Sequence, residues 1–375
     1  MRLRYTVDLT TFQRAGWSSP RESALVDSEH VVVSCRALFI TAEGTTGADV
    51  EIRPPDAWHA VGPWPALGAE RRWFGVDRMA DLTENMLVLT SQRPELVSVG
   101  GFTLSISAMG HWRPLRPLIR DTMRTILSLE TGMMGTRQRE NYSVILLPTA
   151  ETGGEAYRQS FAYSHENPTA ENRGAWANTL AHELFHYWNG SRLKGQDYSG
   201  SQWFQEGFTE YVANLTLLVG KIATTDEFRA KLEAHIANYG RLTTTLEAIG
   251  NRKGPPLYSA GALVAFGFDA TIRNATQGKR SIGTFFRNFW LQTGGGERNY
   301  AWADIEAALN ATVEGRWGEY FARYIRGQER LPLAETFHLA GLQVRLPDSG
   351  QPRITTNPSA PPAAKSLWEA LNSRM

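Results

Sequence analysis

The chain has 375 residues, 39 Lys plus Arg against 38 Asp plus Glu, and 42% hydrophobic residues, enough for two or three domains and an ample core. With the charges nearly balanced and no long run of one sign, nothing in the sequence suggests a polyanion-binding surface, so nucleic acid is not an expected partner. The single cysteine, Cys35, excludes an internal disulfide framework and a cysteine-ligated zinc site. No apolar run reaches the length of a bilayer span, and the amino terminus goes straight into apolar/polar alternation. We therefore expect no signal peptide, no membrane partner and a cytoplasmic location.

From Arg2 to about Ser107, short β-type runs alternate with Gly, Pro and Asp: Leu3 to Leu9, Val31 to Ile40, Val50 to Arg53, Met86 to Leu89 and Phe102 to Ile106. This predicts a β-rich leading domain over residues 1–110. Trp58, Trp64 and Trp73 lie with His59 in a Pro- and Gly-bearing stretch and are expected to serve loop packing and core. From His111 the pattern changes, and Leu115 to Leu129 reads as a helix with Leu118, Ile119, Met123, Ile126 and Leu127 on one side. Tyr142 to Pro148 is continuously apolar, as a strand buried on both faces would be. Gly153-Gly154-Glu155 then precedes Gln159 to Tyr163, which reads as an edge strand. Such an edge can pair with an extended peptide, or the segment is simply a hairpin with a glycine turn. His165, in a polar loop, is expected to be solvated.

The next stretch carries the chemistry: Asn178-Thr-Leu-Ala-His182-Glu183-Leu-Phe-His186-Tyr-Trp-Asn189. Ala175 to Asn189 holds no Pro or Gly, and Trp176, Leu180, Leu184 and Trp188 recur every four residues, so a helix is predicted, ended by Gly190 and Ser191. On a helix, residues i and i+4 share a face, so His182 and His186 can aim ring nitrogens at one point, as a tetrahedral zinc site requires. Glu183 is turned away from that point and can still reach a water there. Past a polar loop, Ser191 to Gln202, a second helix begins at Trp203, with Phe204, Phe208, Tyr211, Val212 and Leu215 as its apolar stripe. Glu206, near its start, can complete a His, His, Glu set with one open position, the pattern of a hydrolytic rather than a structural zinc. Glu210, one turn on, is either an outer acceptor for a ligand imidazole N–H or a solvated helix charge.

From Thr224 the apolar spacing is helical nearly throughout, near Glu227 to Asn238, Ser259 to Ile272, Ile282 to Leu291, Trp302 to Leu309 and Trp317 to Ile325. Within it, Ser259-Ala260-Gly261 lets a helix approach another element closely. Beyond Leu346, a tail with Pro358, Pro361 and Pro362 reads as linker or a loosely held terminus.

With His182-Glu-Leu-Phe-His186-Tyr-Trp-Asn189, Trp203-Phe-Gln-Glu206-Gly-Phe-Thr and Tyr258-Ser-Ala-Gly261-Ala-Leu-Val, the chain resembles the glycyl aminopeptidase family of zinc peptidases, gluzincins related to the aminopeptidase N group. The likeness continues in Tyr320-Phe-Ala-Arg-Tyr-Ile-Arg326-Gly, Leu331-Pro-Leu and Leu339-Ala-Gly-Leu342. It implies a thermolysin-like catalytic domain over 111–222, which with the patterning above gives an α+β fold: a β-rich domain over 1–110, that catalytic domain, a helical region over 223–345 and a tail over 346–375. It also implies one Zn2+ held by His182, His186 and Glu206, Glu183 as general base, Tyr258 as hydrogen-bond donor to the developing oxyanion, and a peptide as substrate. The family usually has Gly-Gly-Leu-Glu-His, whose glutamate grips the substrate amine. Here Gly153-Gly154-Glu155-Ala156-Tyr157 puts Ala156 in that place, with Glu155 one residue early and on the opposite face unless a bulge restores it. The expected function is therefore a zinc metallopeptidase with aminopeptidase action. Its alternatives are a zinc peptidase that needs no free amino terminus and a catalytically idle peptide-binding protein on the same fold.

Overall fold

The computed structural model describes residues 3–10, 24–68, 72–135, 139–149, 152–250, 254–346, 350–371 and 375. The fold is α+β, with strands concentrated before residue 165 and helices after it. It divides into two compact units, Met1–Arg124 with Arg137–Trp176, and Thr125–Thr136 with Ala177–Met375. Among the described residues no helix is long and apolar enough to cross a membrane.

The first unit holds β1 (Ala24–Val26), β2 (His30–Ser34), β3 (Ala48–Glu51), β4 (His59–Val61), β5 (Ala66–Leu67), β6 (Trp73–Val76), β7 (Met86–Thr90), β8 (Glu95–Val99), β9 (Phe102–Ala108), β10 (Glu140–Leu147), β11 (Gly153–Ala156) and β12 (Ser160–Ser164). They form sheets ordered β1-β2-β7-β4, β3-β6-β5 and β11-β12-β10-β9-β8. Val32, Met86 and Val88 share a core with Ile145, Leu147 and Ala162, which joins the first and third sheets. β10 is buried on both faces from Tyr142 to Leu147, as its unbroken apolar run requires.

Several local readings of this half are corrected. Leu3 to Leu9 is not a strand: Asp8 Oδ1 accepts from the Thr10 amide at 2.9 Å and its hydroxyl at 2.6 Å, turning the chain into a helical start at Leu9. The run from Val31 stops being extended at Ser34, and Cys35–Leu38 forms a helical turn. β12 is not the edge strand. It lies between β11 and β10, so the glycine segment itself is the edge. β11 pairs with β12 in unbroken register, Gly153 with Ser164 through Ala156 with Phe161, so no bulge restores Glu155 to the face of Ala156. His165 is half-buried against the rings of Trp112 and Tyr163, at 6.3 and 6.2 Å between centroids, rather than solvated. Trp64 is core, donating its ring N–H to the Asp81 carbonyl at 2.7 Å, whereas Trp73 is 45% exposed.

The long helices are α1 (Arg116–Met134), α2 (Arg173–Phe185), α3 (Gln202–Val219), α4 (Thr225–Tyr239), α5 (Pro255–Ala275), α6 (Ile282–Gln292) and α7 (Trp302–Thr312). Trp317–Tyr320 continues into a π turn over Phe321–Ile325. α3 carries more than the expected stripe: nearly every residue from Gln202 to Leu218 is buried, so the helix runs through the interior of the second unit. Its first turn is seated in aromatic rings, Phe204 on Phe208 at 4.4 Å and on Phe289 at 5.7 Å, and Trp203 stacked on Trp302 at 5.5 Å. Tyr211 donates to Asp269 Oδ2 at 2.7 Å, while Asp269 Oδ1 takes the Arg273 guanidinium at 2.9 Å and the Ile282 amide at 2.8 Å. One satisfied buried ion pair thus ties α3, α5 and the start of α6.

α3 and α5 meet backbone to backbone. A Cβ on Gly261 would stand 2.8 Å from the Gly207 Cα, and one on Gly207 would stand 2.7 Å from the Ala262 nitrogen. The small-residue start of α5 is therefore a close-approach surface, as its sequence suggests. Gly207→Ala is expected to destabilise by at least about 2 kcal/mol, because neither backbone can give way without moving a helix. A urea titration showing a lower midpoint at constant slope would register this, and an unchanged midpoint would mean the helices can part freely.

The carboxyl-terminal tail is not loose. Leu342–Arg345 pairs antiparallel with Arg353–Thr356, and Pro362–Leu371 is a helix burying Ala364, Leu367, Trp368 and Leu371. Trp368 packs on Phe228 of α4 with centroids 6.0 Å apart. Pro362 opens that helix at the position where a missing N–H costs nothing.

Candidate metal centre

α2 is regular to Phe185 and then tightens. The His186 amide still donates to the His182 carbonyl at 3.2 Å, while Tyr187 and Trp188 donate three residues back, to Leu184 and Phe185. Trp176, Leu180, Leu184 and Trp188 are all fully buried, which fixes the rotation of the helix and turns both histidines to one side. The two imidazoles present Nε2 atoms 3.0 Å apart, and Glu206 Oε2 lies 3.4 Å from each. Among the described residues, His182, His186 and Glu206 are the one trio of His, Cys, Asp or Glu able to hold a metal.

The partners of the other ring nitrogens decide what those three atoms offer. His186 Nδ1 faces the Asn189 carbonyl at 2.9 Å, and a carbonyl only accepts, so Nδ1 carries the proton and Nε2 a lone pair. His182 Nδ1 faces Glu210 Oε2 at 3.2 Å, and the same logic frees its Nε2. With both rings neutral, three lone-pair donors therefore converge on one point. Tetrahedral zinc with ligands at about 2.0–2.1 Å places its donors roughly 3.3 Å apart, so the triangle of this site fits one face of that tetrahedron. The electrostatics agree. Burial works against charge on His182, yet the hydrogen bonds its ring donates to Glu206 and Glu210 hold its pKa up to about 10, so a bound cation would replace the proton that Nε2 otherwise carries. Burial likewise pushes Glu206 up, and His186 with His182 overrides it and keeps the carboxyl well below the usual range. A buried site with two carboxylates this close demands positive charge between them.

Glu183 is 7% exposed on the turn beside His182 and is not part of the trio. Tyr258, in the first turn of α5, sets its ring 5.8 Å from the His182 ring and is only half-buried. Burial pushes its phenol up, and Glu206 and Glu183 push it further, so it keeps its proton and can donate. Glu210 is mostly enclosed, its side chain 14% exposed. Burial raises its pKa, but His182 draws it down to about 2, and its Oε1 accepts from Asn214 at 2.9 Å. Of the residues expected at the site, the second unit assembles His182, Glu183, His186, Glu206, Glu210 and Tyr258. Gly153, Gly154 and Glu155 lie on β11 in the first unit.

Two participants were not legible beforehand. Asn189 is fully buried, and its amide donates to the Phe204 and Gln205 carbonyls at 3.1 and 3.2 Å and to Thr209 Oγ1 at 3.2 Å, clamping the end of α2 to the first turn of α3. Gly190 follows with φ 137°, and a side chain there would crowd His186 Nδ1 at 3.2 Å. The second is His235 of α4, whose only signal was its place in the inward stripe Phe228, Leu232, Ile236 and Tyr239.

Residues 175–260, the stretch that carries the donor trio, match the M61 glycyl aminopeptidase family, the one its motifs resemble. An aminopeptidase N family protein from Idiomarina loihiensis superposes with a TM-score of 0.75 at 18% identity, over 88% of this chain and 64% of that one. The M1 zinc metallopeptidase from Deinococcus radiodurans gives 0.55 at 15% identity, over 82% of this chain and 73% of that one. Leukotriene A4 hydrolase from yeast gives 0.58 at 12% identity, over 81% and 51%. At these identities the likeness is one of fold. The chain spans 64% of the length of the Idiomarina protein. No curated protein matches it by sequence.

Proposed function

We propose that the protein is a zinc-dependent metallopeptidase that hydrolyses peptide bonds, with aminopeptidase action on short or unfolded peptides. The observation that carries this reading is the convergence of the two Nε2 atoms and the Glu206 carboxylate, with Glu183 and the Tyr258 phenol alongside. His182, His186 and Glu206 would hold one zinc ion. Zinc bound there supplies Lewis acidity and makes a coordinated water acidic near neutral pH. Glu183 takes the proton of the attacking water and delivers it to the departing amine. Tyr258 donates a hydrogen bond to the scissile carbonyl oxygen as that atom gains negative charge. Glu210 and the Asn189 carbonyl keep each histidine in the tautomer that leaves Nε2 available.

We assign Gly153, Gly154 and Glu155 to substrate binding, because β11 ends its sheet and can receive an extended peptide through main-chain hydrogen bonds. In the Deinococcus structures a relative of this fold holds a Tyr-Ser-Ala substrate. The unbroken register of β11 leaves Ala156 where the family carries an amine-binding glutamate, and this favours a second reading in which a free amino terminus is not required. Hydrolysis of one peptide in free and acetylated forms separates the two. Aminopeptidase action is expected to lower kcat/KM for the acetylated form by at least about a hundredfold, the effect of leaving a charged group's partner buried and unmatched. Equal rates would establish the second reading.

A further inference from the structure

His235 is a polar residue in the buried stripe of α4, where Phe228, Leu232, Ile236 and Tyr239 are its inward neighbours. A buried imidazole costs free energy unless its nitrogens are used. Its Nδ1 is 3.1 Å from Ser259 Oγ, the residue directly after Tyr258. Its Nε2 has no hydrogen-bond partner and points at Glu210 Oε1 from 3.8 Å. Glu210 Oε2 is the acceptor for His182 Nδ1. Burial lowers the His235 pKa, with Glu210 pulling the other way, so the ring is neutral and carries one proton. A carboxylate only accepts, so that proton belongs on Nε2, and Nδ1 accepts from the Ser259 hydroxyl.

We infer that His235 is a positioning residue for the metal centre. From the Ser259 hydroxyl through the His235 ring, the Glu210 carboxylate and the His182 ring, one polar line runs to the Nε2 proposed to bind zinc. This deepens the proposed function and rests on it. The line joins the helix that carries Tyr258 to the helix that carries Glu206 and Glu210, through a side chain of a third helix. At 3.8 Å the link from His235 to Glu210 is electrostatic rather than a direct hydrogen bond, and it orients a carboxylate whose other oxygen sets the His182 tautomer. Asn214 holds the same Glu210 Oε1 from within α3, at 2.9 Å. His235 adds a contact to that oxygen from another helix.

The test is zinc affinity, measured by competition with a chromophoric chelator, with circular dichroism to verify folding. His235→Leu keeps the bulk and removes both nitrogens, and is expected to weaken zinc binding about tenfold, the lower end for loss of an outer partner. His235→Gln carries an amide N–H near the place of Nε2 and should recover most of that loss. His235→Asn, whose amide reaches only the Nδ1 side, should not. Recovery by Gln but not Asn is a result that lost packing alone would not give. If His235→Leu does not fold, Ser259→Ala removes only the hydroxyl that sets the tautomer and is expected to weaken zinc binding two- to threefold. Parent-like zinc affinity in the folded Leu variant, or in Ser259→Ala where Leu does not fold, overturns the inference. Failure of the parent protein to bind zinc would instead defeat the proposed function itself.

Discussion

Glu183→Gln is expected to lower kcat for peptide hydrolysis by at least about a thousandfold while the protein still binds zinc as the parent does. The expectation follows from the position of the side chain. One residue on from His182, it is rotated by about 100° around the helix axis, outside the ligand trio yet within the same buried pocket of charge. Its carboxylate also helps to keep the Tyr258 phenol protonated, which places base and donor in one electrostatic environment. The amide keeps shape and volume and removes only basicity, so metal content by atomic absorption should be unchanged. Hydrolysis at the parent rate by the zinc-loaded variant would show that the proton is taken elsewhere.

Glu206→Ala should weaken zinc binding by at least about a hundredfold, and Glu210→Ala by about tenfold. The order matters more than the sizes. Glu206 Oε2 is equidistant, at 3.4 Å, from both Nε2 atoms, whereas Glu210 touches only the far nitrogen of His182. Removing the first leaves two neutral rings and no anionic ligand. Removing the second leaves the trio intact and frees one tautomer. Alanine suits both positions of α3, so the helix itself should survive. Equal affinities in the two variants, or a larger loss at 210, would mean that the carboxylate roles are reversed.

The candidate metal centre was more legible in the sequence than the scaffold around it. An i, i+4 histidine pair on a Pro-free, Gly-free run forces two rings to one side of a helix, and α2 shows that outcome. Glu206 could be reached by the same reasoning because few residues separate the two helices. Partners supplied by loops or distant helices left no such pattern. Asn189 acts through its own carbonyl and through an amide that reaches α3, and His235 lies 53 residues from His182 in the chain. Strand order was also hidden, because periodicity reports which residues are buried but not which strand is last. β12 is buried on both faces and reads much like β10, so only pairing reveals β11 as the edge. In the tail, three prolines suggested linker, while the spacing of Ala364, Leu367, Trp368 and Leu371 already described an amphipathic helix opened by Pro362.

Anomalous diffraction at the zinc edge from crystals of the zinc-loaded protein tests the account most directly. It should give one strong peak about 2.0–2.2 Å from His182 Nε2, His186 Nε2 and a carboxylate oxygen of Glu206, with Glu183 outside bonding distance. A peak elsewhere, or one at this place without Glu206 among its ligands, would contradict it.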